Sequence, residues 1–147
     1  MNKKTIAQRL TKNLLFTLLI SSGLTFLTVQ IIYSKDAGSL EGNSGIAILT
    51  IAGVFWSLVL TVSSLTVFFN VNENVRHSLL LSILTFYLLP ALVTTIYYLT
   101  SDYSEMWSSF FIITALFFLT QTFFFIKFRQ LTADKNFGLK NSDEQNN

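Results

Sequence analysis

The ionisable side chains that could do chemistry stand together in two short segments. The first contains Glu73, Arg76 and His77, and the second contains Asp102 and Glu105. One carboxylate, one imidazole and one cation do not make a metal site, because the cation repels the ion. We therefore interpret the first segment as an exposed ion pair beside a histidine that has no catalytic role. We interpret the second segment as a solvated acidic turn.

The residues needed for most enzymatic chemistry are missing from the sequence. The chain has no cysteine, which excludes thiolate catalysis and cysteine-ligated metals, and it has a single histidine. No Gly-rich loop that could bind phosphate is present. The formal net charge is only +2 and the chain has no basic face of the kind that binds nucleic acid. We therefore predict no enzymatic activity, no cofactor and no nucleic-acid partner.

Small and hydroxyl-bearing residues recur at helical spacing in two parts of the chain. The first stripe consists of Thr17, Ser21, Thr25 and Thr28, and the second consists of Thr50, Gly53, Ser57, Thr61 and Ser64. Small residues let two helices approach closely, and hydroxyl groups bond across an interface or back to their own helix. The pattern predicts that the two stripes pack against each other. The alternative is that they line a path for water or a solute.

The only proline, Pro90, lies near the middle of an uncharged stretch of the sequence. Proline removes one backbone donor and clashes with the preceding turn, so we expect a kink and a freed carbonyl near Phe86. In a membrane this carbonyl needs a partner within the protein. We expect the partner to be a hydroxyl of the same stretch, namely one of Thr85, Tyr87, Thr94 and Thr95.

Three other side chains with polar atoms lie deep within uncharged stretches. Gln121 is the most polar of them, and we interpret it as forming a structural hydrogen bond between helices rather than a transport site. Tyr87 and Trp56 lie far from the ends of their stretches, so their polar atoms need partners inside a bundle. We interpret both as packed aromatic residues with a hydrogen bond, the alternative being contact with a ligand.

Four long uncharged stretches must position all of these groups. All 18 charged residues lie within 48 positions of the chain. The other positions form four stretches without any charged residue: 13–34, 42–72, 77–101 and 106–126. A soluble domain of 147 residues has too little interior to bury four such stretches. Their apolar content also excludes disorder. The sequence therefore indicates an integral membrane protein.

Each stretch is long enough to cross the hydrocarbon core as a helix, which takes about 20 residues. The alternation typical of outer-membrane strands is absent. We predict an all-α protein with four transmembrane helices, at about 14–33, 45–69, 79–99 and 107–126. They form one domain, residues 1–130, followed by a polar and flexible tail, 131–147.

The segment before the first span is basic but also carries two apolar residues. Ile6 and Leu10 are four residues apart, with Lys and Arg elsewhere around the turn. This spacing predicts a short helix that lies in the membrane interface and leads into the first span.

The basic residues lie almost entirely on one side of the predicted topology. Nine of the ten Lys and Arg residues fall in the two terminal segments and the second loop, which we place at Asn70–His77, and only Lys35 falls in the other loops. Cytoplasmic loops carry such an excess. We therefore predict an antiparallel four-helix bundle with both termini in the cytoplasm, in a cell membrane that is best read as a bacterial inner membrane. Aromatic residues cluster at the opposite ends of the spans: Tyr33, Tyr97, Tyr98, Tyr103 and Trp107.

The absence of deep ionisable groups argues against coupled transport as well as catalysis. The uncharged spans, the small-residue stripes and the Phe-rich fourth stretch favour contacts with other membrane helices. Our first hypothesis is a non-enzymatic accessory, assembly or protective protein, a plan that toxin-neutralising immunity proteins of bacterial inner membranes can share. It predicts that the helices contact the lipid bilayer and either a membrane-protein partner or a second copy of the chain. The alternative is a small oligomeric channel or facilitator for an ion or small solute.

Overall fold

Every uncharged stretch of the sequence forms a long helical segment. The computed structural model describes the backbone of residues 3–34, 40–101 and 107–144, and the side chains of 3–34, 42–101 and 109–131. Four helical segments are long and apolar enough to cross a membrane: Lys3–Ile32, Gly42–Val71, Leu79–Thr100 and Ser109–Leu131. The prediction of an all-helical protein with four candidate membrane spans is therefore confirmed over the described residues.

The helices include the predicted spans and extend beyond some of them. In chain order they are α1 (Lys3–Ile32), α2 (Leu40–Ser63), a 3₁₀ segment (Ser64–Val71), α3 (Glu73–His77), α4 (Leu79–Thr100) and α5 (Trp107–Glu144). The fourth span was predicted to end at residue 126, but its helix continues to Glu144. The flexibility of the tail 131–147 stays a prediction.

The first helix shows that the expected interfacial helix is wrong. Neither Pro nor Gly interrupts the chain between residues 3 and 14, so α1 runs into the first span without a break. Ile6 and Leu10 are both 0% exposed and pack in a buried apolar cluster with Val67 and Phe128. These two side chains therefore face the bundle rather than the membrane interface.

The second span changes helix type at Ser64. The 3₁₀ segment is 8 residues long, whereas such segments usually have three or four. The hydroxyls of Ser63 and Ser64 both donate to the carbonyl of Leu60, at 2.7 and 2.9 Å. Hydroxyls that bond back to the preceding turn compete with the main-chain pattern, and we attribute the change to these two serines.

Two polar caps define the connection from the second span to the third. Asn72 has an extended backbone, and its side chain accepts a hydrogen bond from the Asn74 amide at 3.1 Å, which starts α3. Ser78 is also extended, and its hydroxyl accepts from the Leu81 amide at 3.4 Å, which starts α4. Such caps satisfy amide groups that the first turn of a helix leaves free. The connection predicted at 70–77 thus contains a short helix.

The helices pack around two buried apolar clusters. α1 packs mainly on α2 and α5, whereas α4 packs mainly on the 3₁₀ segment. One cluster contains Ile6, Leu10, Val67, Phe86, Phe125 and Phe128, and the other contains Trp56, Leu60, Ile113 and Phe117. Lipid tails are as apolar as these side chains, so close packing and hydrogen bonds, rather than removal from water, hold such helices together.

The two ends of the helices differ in charge. At one end, Ile6 packs with Val67 and Phe128, and Arg129 donates a hydrogen bond to the carbonyl of Arg76. We call this the basic end, formed by 3–12, 67–79 and 125–131. Every Lys and Arg whose side chain the structure describes belongs to it: Lys3, Lys4, Arg9, Lys12, Arg76, Lys127 and Arg129.

At the opposite end, the hydroxyls of Tyr33 and Ser109 share a hydrogen bond of 2.9 Å. The ring of Phe110, which is next to Ser109 in the chain, contacts the rings of Trp56 and Tyr97, whose centroids lie 4.5 Å apart. Of the aromatic residues predicted there, Tyr103 and the side chain of Trp107 lie outside the described residues, as do the predicted loop charges Lys35, Asp36, Asp102 and Glu105.

The outer surface between the two ends is apolar. Leu99 is 81% exposed, Ile31 73% and Ile51 71%. Soluble monomers rarely expose large apolar side chains over a continuous surface. Such a surface suits contact with lipid tails, in agreement with the four candidate spans.

Candidate functional site

The proline in α4 leaves one carbonyl without its usual donor, and a side chain from α5 binds it. Pro90 lies inside α4 and is fully buried. Because proline has no amide hydrogen, the carbonyl of Phe86 has no donor on its own helix. The side-chain amide of Gln121 donates a hydrogen bond to that carbonyl, and Gln121 is only 3% exposed. A polar side chain of one span therefore completes the backbone of another.

Gln121 also binds the point where the second span changes helix type. Its side-chain oxygen lies 3.1 Å from the hydroxyl of Ser64, whose single hydrogen is shared between this oxygen and the Leu60 carbonyl, and Ser64 is the first residue of the 3₁₀ segment. We call Gln121, Ser64 and the Phe86 carbonyl the Gln121 node. The node joins α5 to the second span and to α4, at the two places where the regular backbone pattern is interrupted.

The expectation that a hydroxyl of α4 binds the Phe86 carbonyl is wrong. Thr94 and Thr95 donate to the carbonyls of Pro90 and Ala91, both at 2.8 Å. A hydroxyl on a helix reaches the carbonyl three or four residues before it, so only residues 89 and 90 could reach Phe86. These are Leu and Pro.

The other two expected donors also have different partners. Thr85 donates to the carbonyl of Ser82 at 2.8 Å, and Tyr87 donates to the hydroxyl of Thr122 at 3.0 Å. Thr85 precedes Phe86 and so faces the turn before it. The position of Gln121 on another helix could not be read from the spacing within α4. The kink expected at Pro90 stays a prediction.

A second buried polar cluster, centred on Asn70, ties the 3₁₀ segment to α4. Asn70 is 0% exposed, and its side-chain amide donates to the hydroxyl of Thr85 at 2.6 Å. Its side-chain oxygen accepts from the hydroxyl of Ser82 at 2.7 Å. Thr66 donates to the Thr85 carbonyl at 2.7 Å. Sequence reasoning placed Asn70 at the start of the second loop and missed this cluster, although the uncharged stretch extends to residue 72.

The stripe of α1 is buried and bonds to its own helix. Thr17, Ser21 and Thr25 are at most 2% exposed, and Thr28 is half-buried. Thr17 donates to the Asn13 carbonyl at 2.9 Å, and Thr25 donates to the Ser21 carbonyl at 2.8 Å. Ser21 donates to the Leu18 carbonyl at 3.2 Å. Hydroxyls engaged in this way leave their donors unavailable to a passing solute.

The stripe of α2 includes a close approach to two other helices at Gly53. A Cβ atom added to Gly53 would lie 2.6 Å from Thr25 Cγ2 and 2.9 Å from Ile113 Cδ1. Both distances are below van der Waals contact, so the absence of a side chain at Gly53 lets α1 and α5 come this close. Ser57 donates to the Gly53 carbonyl at 3.1 Å, and Thr61 donates to the Ser57 carbonyl at 2.8 Å.

Both deeply placed aromatic residues bind a threonine of α5. Trp56 donates to the hydroxyl of Thr114 at 2.9 Å, and Tyr87 binds Thr122 in the same way. Each threonine donates its own hydrogen back to a carbonyl of α5, at 2.8 Å in both cases. Each hydroxyl therefore donates within its helix and accepts from a neighbouring helix. With Gln121, these residues make α5 the source of most polar contacts between the described helices.

The ion pair at 73–76 is not the fully exposed pair that we expected. Arg76 is only 7% exposed, whereas the side chain of Glu73 is 68% exposed. Arg76 Nη2 lies 3.3 Å from Glu73 Oε1, and Arg76 Nη1 has no hydrogen-bond partner among the described residues. The short helix α3 turns the arginine stem against the end of the bundle, where its methylene groups can pack. His77 is exposed.

The interior around the Gln121 node is closely packed. The void beside Gln121 and Phe86 has a volume of about 10 Å³, and it is bordered by Leu10, Thr17 and Phe124. A single water molecule needs about 10–15 Å³. Among the residues whose side chains are described, no three His, Asp or Glu lie together as a metal site would require. The void beside Gln121 therefore has room for about one water molecule and not for a larger ligand.

Comparison of the chain with protein-family models, with curated proteins and with solved structures gives no match.

Proposed function

We propose that this protein is a non-enzymatic membrane protein that binds another membrane protein through the outer surface of its helices. The observation that carries the proposal is the closely packed interior around Gln121. The side-chain amide of Gln121 is hydrogen-bonded to the carbonyl of Phe86 and to the hydroxyl of Ser64. A protein whose deepest polar groups bind one another has its outer surface left for binding. Accessory, assembly and protective roles all fit such a surface.

The oligomeric channel remains the competing function, but the interior lends it little support. A path would need hydroxyl groups that are free to exchange partners with a solute. The hydroxyls of Thr17, Thr25 and Ser57 donate to carbonyls of their own helices and are at most 2% exposed. A path between several copies would require a polar outer face, whereas the described outer face is rich in large apolar side chains.

The proposal includes a topology in which both termini face the cytoplasm of a bacterial cell and adjacent spans are antiparallel. It is supported by the gathering of the described Lys and Arg side chains at the basic end. The contacts of Arg129 with Arg76 and of Tyr33 with Ser109 also support spans that run back and forth between two ends.

The first and third spans offer the most uncovered surface. Only 22% of an apolar 18-residue segment of α1 and 17% of that of α4 are buried, compared with 39% for each of the other two spans. A partner helix can pack only against surface that the bundle itself leaves uncovered. Leu19 on α1 and Ile96 on α4 are 66% and 60% exposed, which makes them suitable probe positions.

Photo-crosslinking in the native membrane tests the proposal. We would place a photoreactive phenylalanine at Leu19 or Ile96, with the fully buried Phe117 as the matched control. A discrete protein adduct is expected from at least one exposed position and none from Phe117. If both exposed positions give only lipid adducts, and the same holds at Leu92 and Ile31, the proposal is wrong.

A further inference from the structure

Two cavities adjoin each other on the outer side of the basic end, with Phe69 as their shared wall. The larger has a volume of about 530 Å³, and its polar lining comes from Lys3, Asn72, Glu73 and Asn74. The smaller is a groove of about 260 Å³ between the 3₁₀ segment and α4. Phe69 is 63% exposed and contributes to both. A molecule with one polar and one apolar part could therefore occupy both at once.

The groove has the depth and chemistry expected of a site for an acyl chain. It follows α4 from Leu81 to Leu88, which are seven residues or about 10 Å apart along a helix. That length lies within one leaflet of a hydrocarbon core about 30 Å thick. Its two hydroxyl groups, on Thr66 and Thr85, donate to main-chain carbonyls. The groove therefore has no hydroxyl donor left for a polar ligand.

The larger cavity carries one charge of each sign. Lys3 supplies an ammonium group, and Glu73 supplies a carboxylate whose side chain is 68% exposed. Only one oxygen of Glu73 contacts Arg76, at 3.3 Å, so the other oxygen can accept a further hydrogen bond. A phosphate suits the lysine and a primary ammonium suits the carboxylate. An anionic headgroup without an amine would meet repulsion from Glu73, and a quaternary ammonium could not donate to it.

We propose that these two cavities form a binding site for one phospholipid with a primary-amine zwitterionic headgroup, of the phosphatidylethanolamine class. Its phosphate lies near Lys3, its ammonium group lies near Glu73, and one acyl chain lies in the groove beyond Phe69. This site is independent of any protein partner, so the proposal stands or falls separately from the function proposed above.

Quenching of tryptophan by brominated lipid measures the preference at the site itself. We would replace Phe69 with Trp and record its fluorescence in phosphatidylcholine vesicles that contain equal fractions of brominated phosphatidylethanolamine or brominated phosphatidylglycerol. The matched control is Phe55→Trp, because Phe55 is 64% exposed on the same span and borders neither cavity. Quenching of the unsubstituted protein, which contains Trp56 and Trp107, is subtracted from both.

We expect the Phe69→Trp protein to associate with the ethanolamine lipid two- to five-fold more strongly than with the glycerol lipid, which is about 0.4–1 kcal/mol and lies within the range of one exposed ion pair. The control should show no preference. Glu73→Gln keeps an acceptor for Arg76 but removes the negative charge, so it should abolish the preference. Circular dichroism melts in the same vesicles verify that each variant is folded.

Two results would overturn the proposal. Equal quenching by both lipids at residue 69 would mean that no headgroup site exists. Stronger quenching by the glycerol lipid would mean that the charge of Lys3 alone determines which lipid binds. The same comparison can be made without substitution, by native mass spectrometry of the lipid that remains bound to the unsubstituted protein.

Discussion

The side-chain amide of Gln121 donates a hydrogen bond to the main-chain carbonyl of Phe86, which Pro90 leaves without a donor on its own helix. The two residues are 35 positions apart and belong to different spans. Without this bond the carbonyl would be buried and unpaired, which costs about 1–3 kcal/mol. The glutamine therefore makes the proline acceptable inside a membrane bundle, and its other end fixes the 3₁₀ segment at Ser64.

Replacing Gln121 with Leu should lower the free energy of unfolding by about 1–2 kcal/mol, because the Phe86 carbonyl is left unpaired, whereas the Ser64 hydroxyl keeps the Leu60 carbonyl as an acceptor. Pro90→Ala restores an amide that can bind the Phe86 carbonyl, so Gln121→Leu should cost less in that background. The measurement is a double-mutant cycle of unfolding in mixed micelles. Strictly additive effects of the two substitutions would show that Gln121 and Pro90 are not coupled.

Replacing Gly53 with Leu should destabilise the bundle by about 1–3 kcal/mol, because any side chain there would overlap Thr25 and Ile113. Gly23 is the matched control, since a Cβ added to it meets no atom within 4 Å. Gly23→Leu should leave stability unchanged or raise it slightly, as glycine is a poor helix former. Unfolding midpoints of the two variants give the comparison. Equal effects would remove the argument for close packing at Gly53.

Replacing Asn70 with Leu should cost about 1–3 kcal/mol, because the hydroxyls of Ser82 and Thr85 lose a buried partner. The double substitution Asn70→Leu with Ser82→Ala should cost less than the sum of the two, since one orphaned group is removed. Asn74→Ala is the control, because Asn74 is exposed. Unfolding curves followed by circular dichroism test this. A neutral Asn70→Leu would mean that the Asn70 cluster does not hold the 3₁₀ segment to α4.

Labelling of single cysteines should establish the proposed topology. The chain has no cysteine, so Gln8→Cys near the basic end and Ser34→Cys near the other end each give one reactive site. A maleimide that cannot cross membranes should label Ser34→Cys in intact spheroplasts and Gln8→Cys only in inverted vesicles. The reverse pattern would place the basic end outside the cytoplasm.

The positions of charged residues were sufficient to predict the four spans, because charges are excluded from helices that lie in hydrocarbon. They could not predict the partner of the Phe86 carbonyl, since that depends on how α5 is rotated relative to α4. Hydropathy carries no such information. The burial of Asn70 and Arg76 was missed for a related reason. Polar residues near the end of a span are typical of a loop, and the caps at Asn72 and Ser78, which start two further helices there, depend on the backbone conformation.

Phe118 and Tyr87 show that aromatic contacts between two helices could not be predicted from the sequence either. A Phe-rich fourth stretch was evident from the sequence, but the near-parallel rings of Phe118 and Tyr87, with centroids 6.3 Å apart, required the packing of two separate spans. Stripes within one helix were therefore readable from spacing, whereas the hydrogen-bond and ring partners supplied by other helices were not.

The most direct test of the central claim is the composition of the particle that contains this protein in its own membrane. The membrane is dissolved with an amphipathic copolymer that keeps lipid around each protein, and the mass of the purified particle is measured. We expect a defined complex with a different membrane protein, and we expect it to dissociate when bulky polar residues replace Leu19 or Ile96. A particle that holds only lipid and this chain, alone or in several copies, would contradict the claim.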